Sequence, residues 1–470
     1  MTNEVPGRPG TGAGPASPSG RASAVGPSGR WAWGAGRWAA IRGDLLAALP
    51  GWVCARAVVL GALVLSRFLV TRLHIGDAGA RVHSHEGLMA WDAGFYRGIA
   101  AHGYRFGAVP HEALRFFPLV PLAARAGGAL LGGRPTLALV VISNVSALAA
   151  GALVHRLALT ETGDRRVATL AAWLVALAPP AYVLVLGYAE ATFVVLVVLY
   201  LLAVRRRRWV LAAVIGALAA LTRPTGALLA VPGLVEAWLA WRGLGAVAAP
   251  TTGAASALGT AALGAGTLGT RALGAGMLAT GTFSDGSEAS EHLPASPVHA
   301  VAARRRLGGP WEAGLAVAGP LLGLGAYLAW AGEAYGDWLL PFSVQQAGRL
   351  RGTSVDPLRA LAHEGRGLLH GDHVGSGLHV VWTVVFLGLL VVVMRRWPAS
   401  YSAFAIVTLV VSLSSRNLDS LERYVLACVP YLLAAATLMR RPPWDRVLLA
   451  VSGAALSSYA LLAFLGAVVP

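Results

Sequence analysis

The chain has 470 residues, 56% of them hydrophobic and 13% charged, with a formal net charge of +16. A soluble domain carries nearly twice that share of charge, so a soluble globular enzyme is excluded and a polytopic membrane protein is expected. All 38 basic residues are Arg, clustered between apolar runs where the positive-inside rule puts them, so the charge points to topology and not to nucleic acid.

In chain order, residues 1–50 are rich in Gly, Pro, Ser and Ala with scattered Arg, and read as a disordered cytoplasmic tail. No short apolar core with a small-residue cleavage site precedes Gly51, so no cleaved leader is expected. The first span runs from Gly51 to Val70, which puts the loop Thr71 to Arg115 outside. This loop carries the most polar and aromatic run of the chain, WDAGFYRGIAAHGY, Trp91 to Tyr104. If helical, it sets Asp92 and Tyr96 on one face at i, i+4 spacing, with Trp91, Phe95, Ile99 and His102 on the next. That is the pattern of an amphipathic helix on the membrane surface, with rings at headgroup level and a carboxylate turned into a cavity. His74, His83, His85, His102 and His111 lack the spacing of a zinc helix and have no cysteine among them, so no metal is assigned. RFFPLVPLAAR, Arg115 to Arg125, is broken by Pro118 and Pro121 and reads as an interfacial segment or helix entry.

Further spans are expected at Leu137 to Leu157, Val167 to Leu186 and, after the turn GYAEATF, up to Val204. RRRR, Arg205 to Arg208, marks the inside. Trp209 to Trp241 is interrupted by RPTG, Arg223 to Gly226. Arg205 to Arg208 and Arg304 to Arg306 both belong inside, so two short spans with an outer turn are preferred over one span and a surface helix. Residues 245–303 are a low-complexity insert with a tandem repeat, ALGTAALGAG and TLGTRALGAG, read as a cytoplasmic segment without chemistry. The core resumes over 304–470, with spans at Trp311 to Ala331, Leu378 to Met394, Ser400 to Leu413, Tyr424 to Met439 and Val447 to Val469. The fold expected is all-α, with about eleven transmembrane helices split into 51–244 and 304–470. Cys54 and Cys428 sit inside apolar runs and read as inert structural thiols.

Four polar constellations meet on the expected outer face. They are Asp92 with Tyr96; Tyr188 and Glu190 in GYAE; Arg223 in LTRPTG; and Arg416, Glu422, Arg423 and Tyr424 in SSRNLDSLERY. Charges at span ends are costly unless paired or used, so these are functional candidates; the competing reading is that Glu190 and Arg223 pair to lock the bundle. One outer carboxylate among arginines suits transfer of a sugar from a lipid phosphate. The carboxylate deprotonates an acceptor hydroxyl and the arginines hold the phosphate. A glycosidase would need two carboxylates, and Glu190 could be the second. A transporter or flippase of lipid-linked sugars and a non-catalytic assembly subunit are the alternatives. The first predicts midplane charges and repeated spans, and neither is visible in the sequence.

WDAGFYRGIAAHGY followed by RFFPLVPL resembles the signature of the PIG-V family of mannosyltransferases, bacterial homologues included. ALAPPAYVLVLGYAEATF, RRRRWVLAAVIGALAALTRPTG, YGDWLLPFSVQQAG and LERYVLACVP resemble its later blocks, so the likeness covers most of Trp91 to Pro430 outside the insert. The N-terminal Arg21, Arg30, Arg37 and Arg42 hold the N-terminus inside, and the absence of Lys with the Ala and Gly excess points to the cytoplasmic membrane of a high-GC bacterium. The resemblance implies a GT-C fold. It implies a polyprenyl-phosphate-mannose donor, a lipid or glycan acceptor on the outer face, and no cofactor. Asp92 becomes the catalytic aspartate. Trp91, Tyr96, His102, Tyr104, Arg115, Tyr188, Glu190, Arg223, Arg416, Arg423 and Tyr424 become the substrate-binding set. The chain departs from the pattern at AWD, FYRG and YAEAT, and the acceptor stays open.

Overall fold

The structure is a computed structural model that describes residues 28–74, 82–105, 107, 109–243, 311–346, 352–370, 374–415, 418 and 421–469. The chain divides into two units, 1–43 and 44–470. Of the first, the described residues open a helix that continues into the second unit and spans Ser28–Leu73. It begins well before Gly51, so the stretch from Ser28 read as disordered tail is helical. The insert at 245–303 lies outside the described residues.

Among the described residues the named elements are all α or 3-10 helices, joined by turns and loops, and an isolated bridge links Ser354 and Ser415. Five helices are long and apolar enough to cross a membrane: Trp38–Leu73, Pro135–Thr162, Ala313–Tyr335, His379–Arg396 and Trp444–Phe464. Each leaves large apolar side chains such as Val64, Leu322, Val384 and Val451 exposed, the surface that lipid would cover. With the composition, this makes the chain a polytopic, all-α membrane protein.

Two expected spans are interrupted. The helix Arg165–Leu177 stops where Pro179 and Pro180 follow, and the chain goes on as a 3-10 segment, Pro179–Leu184. The unpaired carbonyls at its end and just after it are taken by neighbours: Arg56 Nη2 donates to Leu184 O at 3.1 Å, Ser143 Oγ to Leu186 O at 2.7 Å and Asn144 Nδ2 to Val185 O at 3.1 Å. Backbone can stay irregular at membrane depth only where it is satisfied in this way. The expected span from Tyr424 to Met439 is likewise two pieces, Leu421–Leu426 and Val429–Leu438, with Pro430 at the second start.

Trp209 to Trp241 is a helical hairpin with arms Trp209–Thr222 and Ala230–Trp241 around a 3-10 turn, Pro224–Leu229. Both arms pack on the helix Ala313–Tyr335. A Cβ added at Gly319 or Gly323 would collide with the backbone of Ala213 or Ala217, so the first arm lies directly against that helix. The second arm runs back: Arg205, just before the first arm, pairs with Glu236 near the end of the second at 3.2 Å. The chain therefore enters and leaves at the same end, the geometry the two-span reading requires.

Candidate active site

The site forms where the hairpin turn, the loop after the first helix and the segment after Leu413 converge. Asp92 opens the helix Asp92–His102. Its place is set by the residue before it. Trp91 has φ 57°, an uncommon conformation for a residue with a side chain. Three contacts hold it: the indole N–H donates to Ala463 O at 2.9 Å, the backbone N–H to Glu86 at 3.2 Å, and the ring stacks on His83 at 3.9 Å. This turn aims Asp92 inward, and its backbone N–H donates to the Tyr188 hydroxyl at 3.1 Å.

Both Asp92 carboxylate oxygens accept from arginines. Arg115 Nη2 lies 3.2 Å from Oδ1 and Arg423 Nη1 lies 2.7 Å from Oδ2. Arg423 also sits at ion-pair distance, 3.5 Å, from Glu190 Oε1, which accepts a 2.6 Å hydrogen bond from Arg223 Nη1. The result is an alternating chain, Arg115, Asp92, Arg423, Glu190, Arg223. Tyr424 lies under both Arg223 and Arg423, 5.0 and 5.5 Å from its ring centre. Burial raises the pKa of the Asp92 carboxyl, but the charges of Arg423 and Arg115 outweigh it and hold the group below its usual value. Burial, with the Glu190 charge, pushes the Tyr96 hydroxyl up, so it stays a neutral donor.

These residues line one cavity: Asp92, Tyr96, Arg115, Glu190, Arg223, Arg423 and Tyr424, joined by Phe116, Phe117, Thr222, Pro224, Thr225 and Gln345. Three guanidinium groups face two carboxylates, so the lining carries one surplus positive charge. It suits an anion with a single charge next to polar groups. Glu190 and Arg223 do pair, as the bundle-locking reading expects, yet both also face the cavity. Among the described residues no group of three or more His, Cys, Asp and Glu could hold a metal ion.

Other predicted site residues fall elsewhere. Tyr188 is buried behind the cavity, its hydroxyl accepting from the Asp92 backbone and its ring lying 5.8 Å from the Arg423 guanidinium. Trp91 turns away toward Ala463. His102 is exposed at the far end of its helix. Tyr104 donates to Phe116 O and sits in an aromatic cluster with Tyr327 and Trp330. Arg416 lies outside the described residues. Gln345, Thr222 and Thr225 were not singled out in the sequence, because a single neutral polar residue beside a loop or turn carries no signal of its own.

No family model and no curated protein matches the chain. Among solved structures it is similar to the Archaeoglobus fulgidus oligosaccharyltransferase tethered with an acceptor peptide, at 13% identity, 88% of this chain, 56% of the other and a TM-score of 0.39. It is also similar to the archaeal oligosaccharyltransferase AglB from Archaeoglobus fulgidus in complex with an inhibitory peptide and a dolichol-phosphate, at 15% identity, 87% of this chain, 55% of the other and a TM-score of 0.37. The chain spans a little over half the length of these structures.

Proposed function

We propose that this protein is a membrane glycosyltransferase of GT-C type. It moves mannose from a polyprenyl-phosphate-mannose donor to a hydroxyl of a lipid or glycan acceptor on the outer face of the cytoplasmic membrane. The observation that carries the reading is the cavity in which Asp92 is gripped by Arg115 and Arg423 beside the Glu190–Arg223 pair. The surplus single positive charge matches the single negative charge of a sugar phosphodiester.

In this reading the acceptor hydroxyl attacks C1 of the sugar. Its proton goes to Asp92, the new C–O bond forms, and the C1–O bond to phosphate breaks with its electrons on the departing polyprenyl phosphate. A carboxylate held by two arginines is a weak base. Donor binding changes that, because the phosphate draws on the same guanidinium groups, relaxes their hold on Asp92 and raises its affinity for a proton at the moment it is needed. The arginines then stabilise the phosphate as it gains charge. Tyr96, neutral and hydroxyl-bearing, is placed to donate to the sugar or acceptor.

The test is transfer by the full chain reconstituted in lipid vesicles, using polyprenyl-phosphate mannose labelled in the sugar and, in parallel, the glucose analogue. Labelled mannose in a lipid or glycan product, with release of polyprenyl phosphate, supports the reading. Passage of intact donor across the bilayer without cleavage would replace it with a transporter.

A further inference from the structure

Behind Arg423, away from the cavity, lies a second polar layer that the proposed chemistry does not touch. Arg423 sits on the helix Leu421–Leu426, only six residues long. A helix of that length is not stable by itself, so its place and rotation depend on side-chain ties. Leu421, Val425 and Leu426 are buried and fix its depth. Apolar contacts are non-directional and do not by themselves fix its rotation.

The residue beside Arg423 supplies a directional contact. Successive helical side chains point about 100° apart, so while Arg423 reaches Asp92, Glu422 turns toward the helix Val374–Arg396. There the His379 ring meets it, Nδ1 to Oε1 at 2.9 Å, with the residues 5% and 4% exposed. In its Nδ1–H form the ring donates to the carboxylate. Neither residue lines the cavity. His379 is itself held, its carbonyl accepting from Thr383 Oγ1 at 2.8 Å. One turn further, Trp382 Nε1 donates to the Tyr459 hydroxyl at 2.7 Å. Tyr459 belongs to the helix Trp444–Phe464, whose Ala463 carbonyl receives the Trp91 indole. The two devices that orient Asp92, the strained Trp91 turn and the Arg423 grip, are thus referred to one pair of helices.

We infer that His379 and Glu422 are positioning residues for the proposed transfer, holding the short helix in the rotation that presents Arg423 to Asp92. This rests on Asp92 being the proton acceptor. It predicts more than a loss of stability, because a guanidinium that no longer grips Asp92 no longer lowers its pKa. The charged and titratable groups facing Asp92 include Arg115, Arg423, Arg223, Glu190 and the hydroxyls of Tyr96, Tyr182 and Tyr188. Those around the buried pair are Arg423 and the hydroxyls of Tyr182 and Tyr459.

The experiment is the pH profile of kcat/KM for mannosyl transfer by the full chain in vesicles, for wild type, His379→Ala, His379→Asn and Asp92→Asn. The expected result is a loss of about tenfold in His379→Ala, mainly in kcat, with the acid limb moved up by about half a unit or more. His379→Asn, which still offers a donor near the Nδ1 position, restores both. If His379→Ala fails to assemble, Glu422→Gln, which keeps the shape and weakens the tie, is read in the same way. An acid limb that stays in place while activity falls uniformly would reduce the pair to a structural contact and overturn the inference. Full transfer by Asp92→Asn would overturn it together with the reading beneath it.

Discussion

Asp92 is gripped by two arginines through separate oxygens, and that fixes its ionisation. Its folded pKa lies below the ordinary carboxylate value, so its stabilising contribution is complete above the unfolded pKa and is lost as pH falls through the folded one. Transfer that needs the carboxylate should therefore be insensitive to this group near neutrality and fail only in acid. Arg115→Gln removes one of the two cations, so the Asp92 pKa rises and the acid limb of kcat/KM moves to higher pH; a limb that stays put in that variant would mean another group titrates there. Much of this site was legible in the sequence. Asp92, Glu190, Arg223 and Arg423 stand out because charge in an apolar chain is costly unless used, Tyr96 and Tyr424 stand beside them, and Arg115 enters with the family-like block. Their partners were not legible, since Asp92 and Arg423 are 331 residues apart. The turn at Trp91, with φ 57° and its indole on Ala463, was not legible either.

At the scale of elements, the hairpin at 209–241 delivers Arg223 to the cavity. Its first arm lies against Gly319 and Gly323 so closely that no side chain fits between the backbones. Gly323→Val should push the arm away and lower stability by about 1–3 kcal/mol. Thermal unfolding in detergent reads this directly, and Gly325→Val, where a Cβ meets open space, is the control expected to change little. A Gly323→Val protein as stable as wild type would show that the two helices do not pack as described. The reversal at RPTG followed from charge parity and the breaker residues. The breaks after Leu177 and Leu426 did not, because the apolar runs continue through Pro179, Pro180 and Pro430; what permits the first is a set of distant donors, Arg56, Ser143 and Asn144, on the carbonyls of Leu184, Leu186 and Val185.

For the molecule as a whole, polar layers occupy opposite ends of the helix Glu190–Arg205, sixteen residues or about 24 Å apart. At one end is the Asp92 cavity. At the other, Arg205 pairs with Glu161 at 3.0 Å and Glu236 at 3.2 Å, with Ser400 and Tyr401 donating to the same carboxylates. We propose, from the positive-inside rule, that the cavity end faces outside. Single cysteines at the exposed positions His85 and Trp338 should react with an impermeant thiol reagent from outside, and those at Arg206 and Arg441 should not, in a background without Cys54 and Cys428. The reverse pattern would place the cavity in the cytoplasm.

The most direct test of the whole account separates binding from transfer in Asp92→Asn. Asparagine keeps the size of the side chain and one acceptor oxygen but cannot take the proton. With purified protein in vesicles and labelled polyprenyl-phosphate mannose, the account predicts donor binding within about threefold of wild type and transfer reduced by at least about a hundredfold. Transfer by Asp92→Asn at a rate near wild type would contradict it.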